Sequence, residues 1–167
     1  QADAIITSDP GVVASVRTAD CVPILISSRD GRWVAAVHAG WRGVVAGILP
    51  ATLTRLMQET GFVAADFVVA IGPCISGEAF EVGPEVTREF EHAFPARPPI
   101  TRRVGEKAFI DLPNGLLQQA LAAGVPKTQI DTTTCCTYRD QALFFSHRRD
   151  HALTGRMAAV ISPVSTR

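Results

Sequence analysis

The sequence predicts an α/β chain of the α+β type: a single domain over residues 1–167 with a mixed β-sheet flanked by helices. Three observations predict it. Short apolar, β-branched runs fill the first forty residues before any helical pattern begins. Helical periodicity then appears three times, with strand-like runs between the helices. The resulting order, β-β-β-β-α-β-α-β-α-β-β-β, is not the strict alternation of a doubly wound fold, and a mixed sheet fits it better.

Residues 4–7 read as a strand ended by Asp9-Pro10-Gly11, and residues 12–17 as another short run. Residues 22–27 are β-branched and apolar, Arg29-Asp30-Gly31 is a turn signal, and residues 32–37 supply the matching arm. The hairpin so formed brings Cys21 and His38 to one end of neighbouring strands. After Gly43, the residues Val45, Ile48, Leu49, Leu53, Leu56 and Met57 recur at helical steps; Pro50 is expected to kink the run and Gly61 to end it. A buried strand follows at 66–71, closed by Gly72-Pro73-Cys74. Helices are predicted at 84–94 and 112–123, the second ending at Gly124, with a proline-rich loop at 95–99 and a strand at 109–111. Residues 130–134, 143–146 and 157–161 complete the set as strands.

Lysine plus arginine and aspartate plus glutamate each number 16, so no basic field for nucleic acid or an acidic membrane is expected. No apolar run approaches the roughly 20 residues that span a bilayer. The opening residues lack a signal peptide's basic and apolar regions and an initiating methionine, which suggests a fragment or processed chain. The cysteines Cys21, Cys74, Cys135 and Cys136 match neither a zinc-finger spacing nor a secreted disulfide framework, so reduced thiols in a cytoplasmic protein are expected.

Taken singly, Cys21 and His38 read as buried structural residues. As a pair at adjacent strand ends they make half a zinc site or a nucleophile with its base. Gly40-Trp41-Arg42-Gly43 leads into a helix, where free N–H groups and the Arg42 guanidinium suit a phosphate or carboxylate. Cys74, also at a strand end, lines the same pocket or simply packs. His147 is a pocket-lining or structural residue and a conceivable third metal ligand. Arg148-Arg149 bind an anion or pair with Asp150; Arg102-Arg103 is a further basic cluster. Glu78, Glu81 and Glu85 lie close together, two of them at a solvated helix start.

The segments Thr18-Ala19-Asp20-Cys21-Val22-Pro23, Val37-His38-Ala39-Gly40-Trp41-Arg42-Gly43, Ile71-Gly72-Pro73-Cys74-Ile75, Phe80-Glu81-Val82-Gly83 and Phe145-Ser146-His147-Arg148-Arg149-Asp150 resemble the YfiH-type family in order and spacing. This is the laccase-domain, or multicopper polyphenol oxidoreductase, family, and the likeness runs through nearly the whole chain. It implies a cysteine-hydrolase-like fold related to toxin domains and a zinc site of two histidines and one cysteine. Cys21 and His38 match two of those ligands. The remaining histidine belongs to a Gln-Val-His-Gly-type motif upstream of Ala2-Asp3-Ala4, so the chain is expected to lack the N-terminal part of its domain.

The resemblance implies a zinc-dependent purine nucleoside phosphorylase with adenosine deaminase activity, acting on adenosine, inosine, guanosine and methylthioadenosine, with copper as an alternative metal. Cys21, His38 and Arg42 are the expected catalytic residues. Arg42 and Arg148 are the expected phosphate contacts, and Cys74 a further substrate contact. Purine nucleosides and phosphate are the expected partners. The alternatives are a cysteine hydrolase or peptidoglycan-editing amidase using Cys21 and His38, weak copper-dependent polyphenol oxidation, and a non-catalytic binding module. A true multicopper centre needs many histidines, and the chain has four.

Overall fold

The computed structural model describes residues 2–165. Residues 1, 166 and 167, which the predicted domain includes, lie outside the described residues. Strands β1 (Ala4–Thr7), β2 (Ala14–Thr18), β3 (Val22–Ser28) and β4 (Val34–Ala39) come first, as expected. β3 and β4 form the predicted hairpin, with Val22 opposite Ala39 and Ser27 opposite Val34. With β5 (Phe67–Ile71) and β9 (Ile130–Thr132) they build a five-stranded sheet in the order β1-β4-β3-β5-β9. The first four strands are antiparallel and β9 is parallel to β5, so the sheet is mixed.

Both faces of this sheet are covered, which is why β3 reads as an almost unbroken apolar run rather than an alternation. One face carries Val22, Ile24, Ile26, Val37 and Val69 into the main core with Leu49, Leu53 and Leu56 of α2 (Ile48–Thr60) and Leu116 of α4 (Leu112–Ala122). On the other lies a ribbon of β2 paired with β10 (Met157–Ile161), which sets Ala14 and Val16 against Ala36 and Leu25. A second sheet, in the order β6 (Glu81–Val82), β8 (Lys107–Ile110), β7 (Ile100–Val104), packs with α3 (Pro84–Ala93) against the same core through Phe90 and Ile110. β6 and β7 escape sequence patterning: one is two residues long, and the other is mostly exposed.

Two further differences bear on the site. The helical run after Gly43 is split into α1 (Trp41–Val45) and α2, and the break is Gly47 at φ 72°, not Pro50. Pro50 sits in the first turn of α2, where an N–H has no helical partner anyway. The stretch expected as a strand at 143–146 is irregular and lies between two turns. Its carbonyls do not join a ladder. The Arg149 guanidinium donates to the carbonyls of Thr137 at 2.7 Å, Tyr138 at 3.1 Å and Phe144 at 3.0 Å, and pairs with Asp150 at 2.8 Å. No helix among the described residues is long and apolar enough to cross a membrane.

Candidate active site

His38 lies in β4 opposite Pro23 of β3. Directly opposed residues share a face and positions two apart return to it, so Cys21 and His38 stand on one face at the sheet's end. β1 adds the third member. Ala4 pairs with Val37, and just beyond that pair the Asp3 carbonyl accepts the His38 N–H at 2.7 Å. The Asp3 carboxylate lies 3.0 Å from the imidazole Nδ1, and the Cys21 sulfur lines the same cleft as the ring. Gly40 leaves room for the thiol: a Cβ there would stand 3.2 Å from the Cys21 sulfur, tight enough to push it aside.

The Cys21 sulfur, and after it the Asp3 carboxylate, raise the His38 pKa from 6.5 to about 9 against the opposing effect of burial. The stability this contributes to metal-free protein is therefore complete below pH 6.5 and lost as pH rises through about 9. Without metal, the gap in thermal midpoint between wild type and His38→Gln is expected to narrow between about pH 6 and about pH 10. A gap independent of pH removes the charged ring from the account.

These residues open into a cleft of about 470 Å³, within the range of small-ligand sites. Its apolar lining is Ile75, Phe80, Trp41 and Leu112. Around them stand Arg42, whose guanidinium lies 4.3 Å over the Trp41 ring, and Arg148, 5.3 Å over Phe80. Arg148 also donates to the Glu81 carbonyl at 2.8 Å, which fixes its approach. α1 is only five residues long, so any anion preference here comes from these guanidiniums rather than from a helix end.

Asp20, immediately before Cys21, ties the cleft together. It is buried and holds φ 85°, a left-handed conformation uncommon for residues other than glycine, asparagine and aspartate. Its carboxylate accepts the Thr137 hydroxyl at 2.6 Å, the Ser146 hydroxyl at 3.1 Å and the Arg148 N–H at 2.6 Å, while its carbonyl accepts the Ile75 N–H at 3.0 Å. Three distant segments thus converge on the residue beside the thiol.

Of the residues singled out by sequence, Cys21, His38, Arg42, His147 and Arg148 line one cleft. Cys74 does not line it. It is buried, and it borders a second, more polar cavity of about 590 Å³ with Ser76, Asp111 and Cys135. Burial raises its thiol pKa far above the usual range. Arg149 is spent on the turns before it. Arg102 lies 3.8 Å over Phe109, and Arg103 pairs with Glu91. Asp3, Asp20, Phe80, Arg17 and Arg156 were not anticipated as members of the site. A buried-type position held by Asp20 between two apolar runs was a signal for that residue; Asp3 becomes visible only once the β1–β4 register is known.

Sulfur and imidazole nitrogen are the donors zinc and copper(I) favour, and a carboxylate on the far ring nitrogen is the usual way a histidine ligand is oriented. Asp3 on Nδ1 leaves Nε2 for coordination. Cys21 and His38 therefore fit two positions of such a centre. No group of three His, Cys, Asp or Glu residues able to hold a metal occurs among the described residues.

A sequence profile for the multi-copper polyphenol oxidoreductase laccase family matches residues 1–163. A purine nucleoside phosphorylase of Bacteroides thetaiotaomicron is 43% identical over 161 residues, covering 95% of this chain and 60% of the relative. The purine nucleoside phosphorylase YfiH of Escherichia coli is 39% identical over 161 residues, covering 96% of the chain and 63% of the relative. The chain thus spans about three fifths of the length of the curated relatives it matches. Among solved structures, YlmD from Geobacillus stearothermophilus is 35% identical with a TM-score of 0.92, covering 98% of this chain and 61% of that one. Bacillus licheniformis YfiH is 29% identical with a TM-score of 0.91, covering 97% and 61%.

Proposed function

The chain belongs to the multi-copper polyphenol oxidoreductase laccase family, and from that membership we propose that its cleft serves purine nucleoside phosphorolysis. A phosphate oxygen bonds to the ribose anomeric carbon, the glycosidic C–N bond breaks, and the purine leaves with a proton, giving ribose 1-phosphate. The observation that carries the reading is the convergence of Cys21, His38, Arg42 and Arg148 on one cleft with an apolar lining. Trp41, Phe80, Ile75 and Leu112 bury the purine's faces. Arg42 and Arg148 hold phosphate, Arg42 with a free guanidinium fork and Arg148 from its anchorage on Glu81. Cys21 and His38 would hold zinc, or copper in its place, with Asp3 orienting the ring. When bound, zinc supplies the Lewis-acid chemistry that deamination of adenosine requires. Arg42→Ala is expected to raise the KM for phosphate about tenfold or more while changing the KM for adenosine little. Purified protein given adenosine, phosphate and zinc should release adenine, ribose 1-phosphate and some inosine. None of these above background overturns the reading.

A second reading has its own observation: Cys21, His38 and Asp3 form a thiol–imidazole–carboxylate chain, the arrangement of a cysteine hydrolase. That reading suits a cysteine-hydrolase-like fold and an amide substrate, as in peptidoglycan editing. It requires turnover that survives strong chelators and stops on alkylation of Cys21.

A further inference from the structure

Four arginines line the cleft, Arg17, Arg42, Arg148 and Arg156, against two carboxylates, Asp3 and Asp20. The chain as a whole balances 16 basic with 16 acidic residues, so this surplus is local. Both carboxylates already have partners, Asp20 in its three donors and Asp3 in His38. The four guanidiniums also divide by origin. Arg42 follows β4 and Arg148 lies in the turns near Asp20, whereas Arg17 and Arg156 come from the β2–β10 ribbon.

The ribbon's register defines this second pair. Thr18 lies opposite Met157 and Arg17 opposite Ala158, and Arg156 comes one residue before the paired stretch. Arg17 and Arg156 thus lie at the same end of the ribbon, and both line the cleft. The other residues on Arg17's face of the ribbon, Ser15, Ala158 and Val160, are uncharged. Among the described residues neither guanidinium forms an ion pair. Arg156 is already oriented, because its Nη1 donates to the carbonyls of Thr154 at 3.0 Å and Gly155 at 2.9 Å, which leaves its other donors for a ligand. A doubly charged phosphate matches two guanidinium forks.

We propose that Arg17 and Arg156 form a second phosphate subsite, on the ribbon wall, for a phosphate carried on the nucleoside itself. The proposal rests on the phosphorolysis reading for the nucleoside, and it names nucleoside monophosphates as the preferred substrate class. Arg42 and Arg148 remain for the orthophosphate consumed in the reaction. A neutral nucleoside leaves the ribbon pair unmatched.

Titration calorimetry on the purified protein tests this with three separate probes: orthophosphate, adenosine and adenosine 5′-monophosphate. The monophosphate is expected to bind about tenfold or more tightly than adenosine. In Arg17→Ala/Arg156→Ala that ratio should collapse towards one, with the single variants Arg17→Gln and Arg156→Gln each losing part of it. Equal binding of adenosine and its monophosphate by wild type overturns the proposal, as does an unchanged ratio in the variants. Loss of orthophosphate binding in the double variant also overturns it, because the pair then serves the free co-substrate. Failure of the phosphorolysis reading registers separately, as absence of adenine release, with ribose 1-phosphate from adenosine and ribose 1,5-bisphosphate from the monophosphate, whatever the binding results.

Discussion

Replacing Cys21 with alanine is expected to lower nucleoside cleavage at least about a hundredfold, the upper end of what disturbing a mere supporting residue of a metal site costs. The substitution removes one of two soft donors and the strongest influence on His38 at once. The fold should survive it. Cys21 is half-buried at a strand end and lies outside the main hydrophobic cluster, so the stability it loses in metal-free protein is chiefly its support of the charged His38 ring and should shrink as pH rises through about 9. Two measurements check the physical account beyond activity. An NMR titration of metal-free protein should show the His38 pKa falling from about 9 in the variant, because its leading cause is gone. Zinc titration should show the variant's affinity reduced in parallel with its turnover. Wild-type turnover in Cys21→Ala removes the thiol from the chemistry under both readings. Loss of turnover without loss of metal affinity favours the hydrolase.

Asp20→Ala is expected to be among the most destabilising single substitutions in the chain, by about 3–5 kcal/mol in urea denaturation. It leaves the Thr137 hydroxyl, the Ser146 hydroxyl and the Arg148 N–H without their acceptor, the first two in buried residues. It also asks alanine to hold φ 85°, where the aspartate side chain is better tolerated. Asp20→Asn separates these effects. Asparagine tolerates the same backbone and keeps an oxygen acceptor but loses the charge, so it should lose clearly less stability than alanine. Its turnover should still drop, because Arg148 and Cys21 are both positioned through this residue. Equal stability of the alanine variant and wild type would show that the segments around Thr137 and Ser146 do not depend on Asp20.

The hairpin between Cys21 and His38 was legible because its signals are local: two β-branched runs, a turn containing glycine at φ 72°, and a register set by that turn. Arg42 was legible as a cation at a strand end and Arg148 as one of a basic pair, but not the division of labour between Arg148 and Arg149. That division depends on where the carbonyls of Thr137, Tyr138 and Phe144 lie, and these are brought together by turns around a stretch the pattern read as a strand. Phe144-Phe145 looks like a buried run in sequence, yet Phe145 is largely exposed. Apolarity alone does not distinguish a strand from a loop held by one arginine. Cys74 was ambiguous for the same reason: a strand end has two faces, and only packing selects the one it presents.

The four opening strands, the helices around 48–60, 84–93 and 112–122, the thiol–imidazole pair and the family likeness were written in the chain, because short-range pattern and fixed motif spacing need no partner from elsewhere. The remainder was settled by tertiary structure: Asp3 beside His38, Asp20 as the junction of three remote segments, and Arg17 and Arg156 in one cleft. Each depends on strand register or on contacts between residues far apart in sequence. Such contacts arise only when the sheet, ribbon and turns close around one another, because a carboxylate or guanidinium finds its partner in the folded chain and not along it.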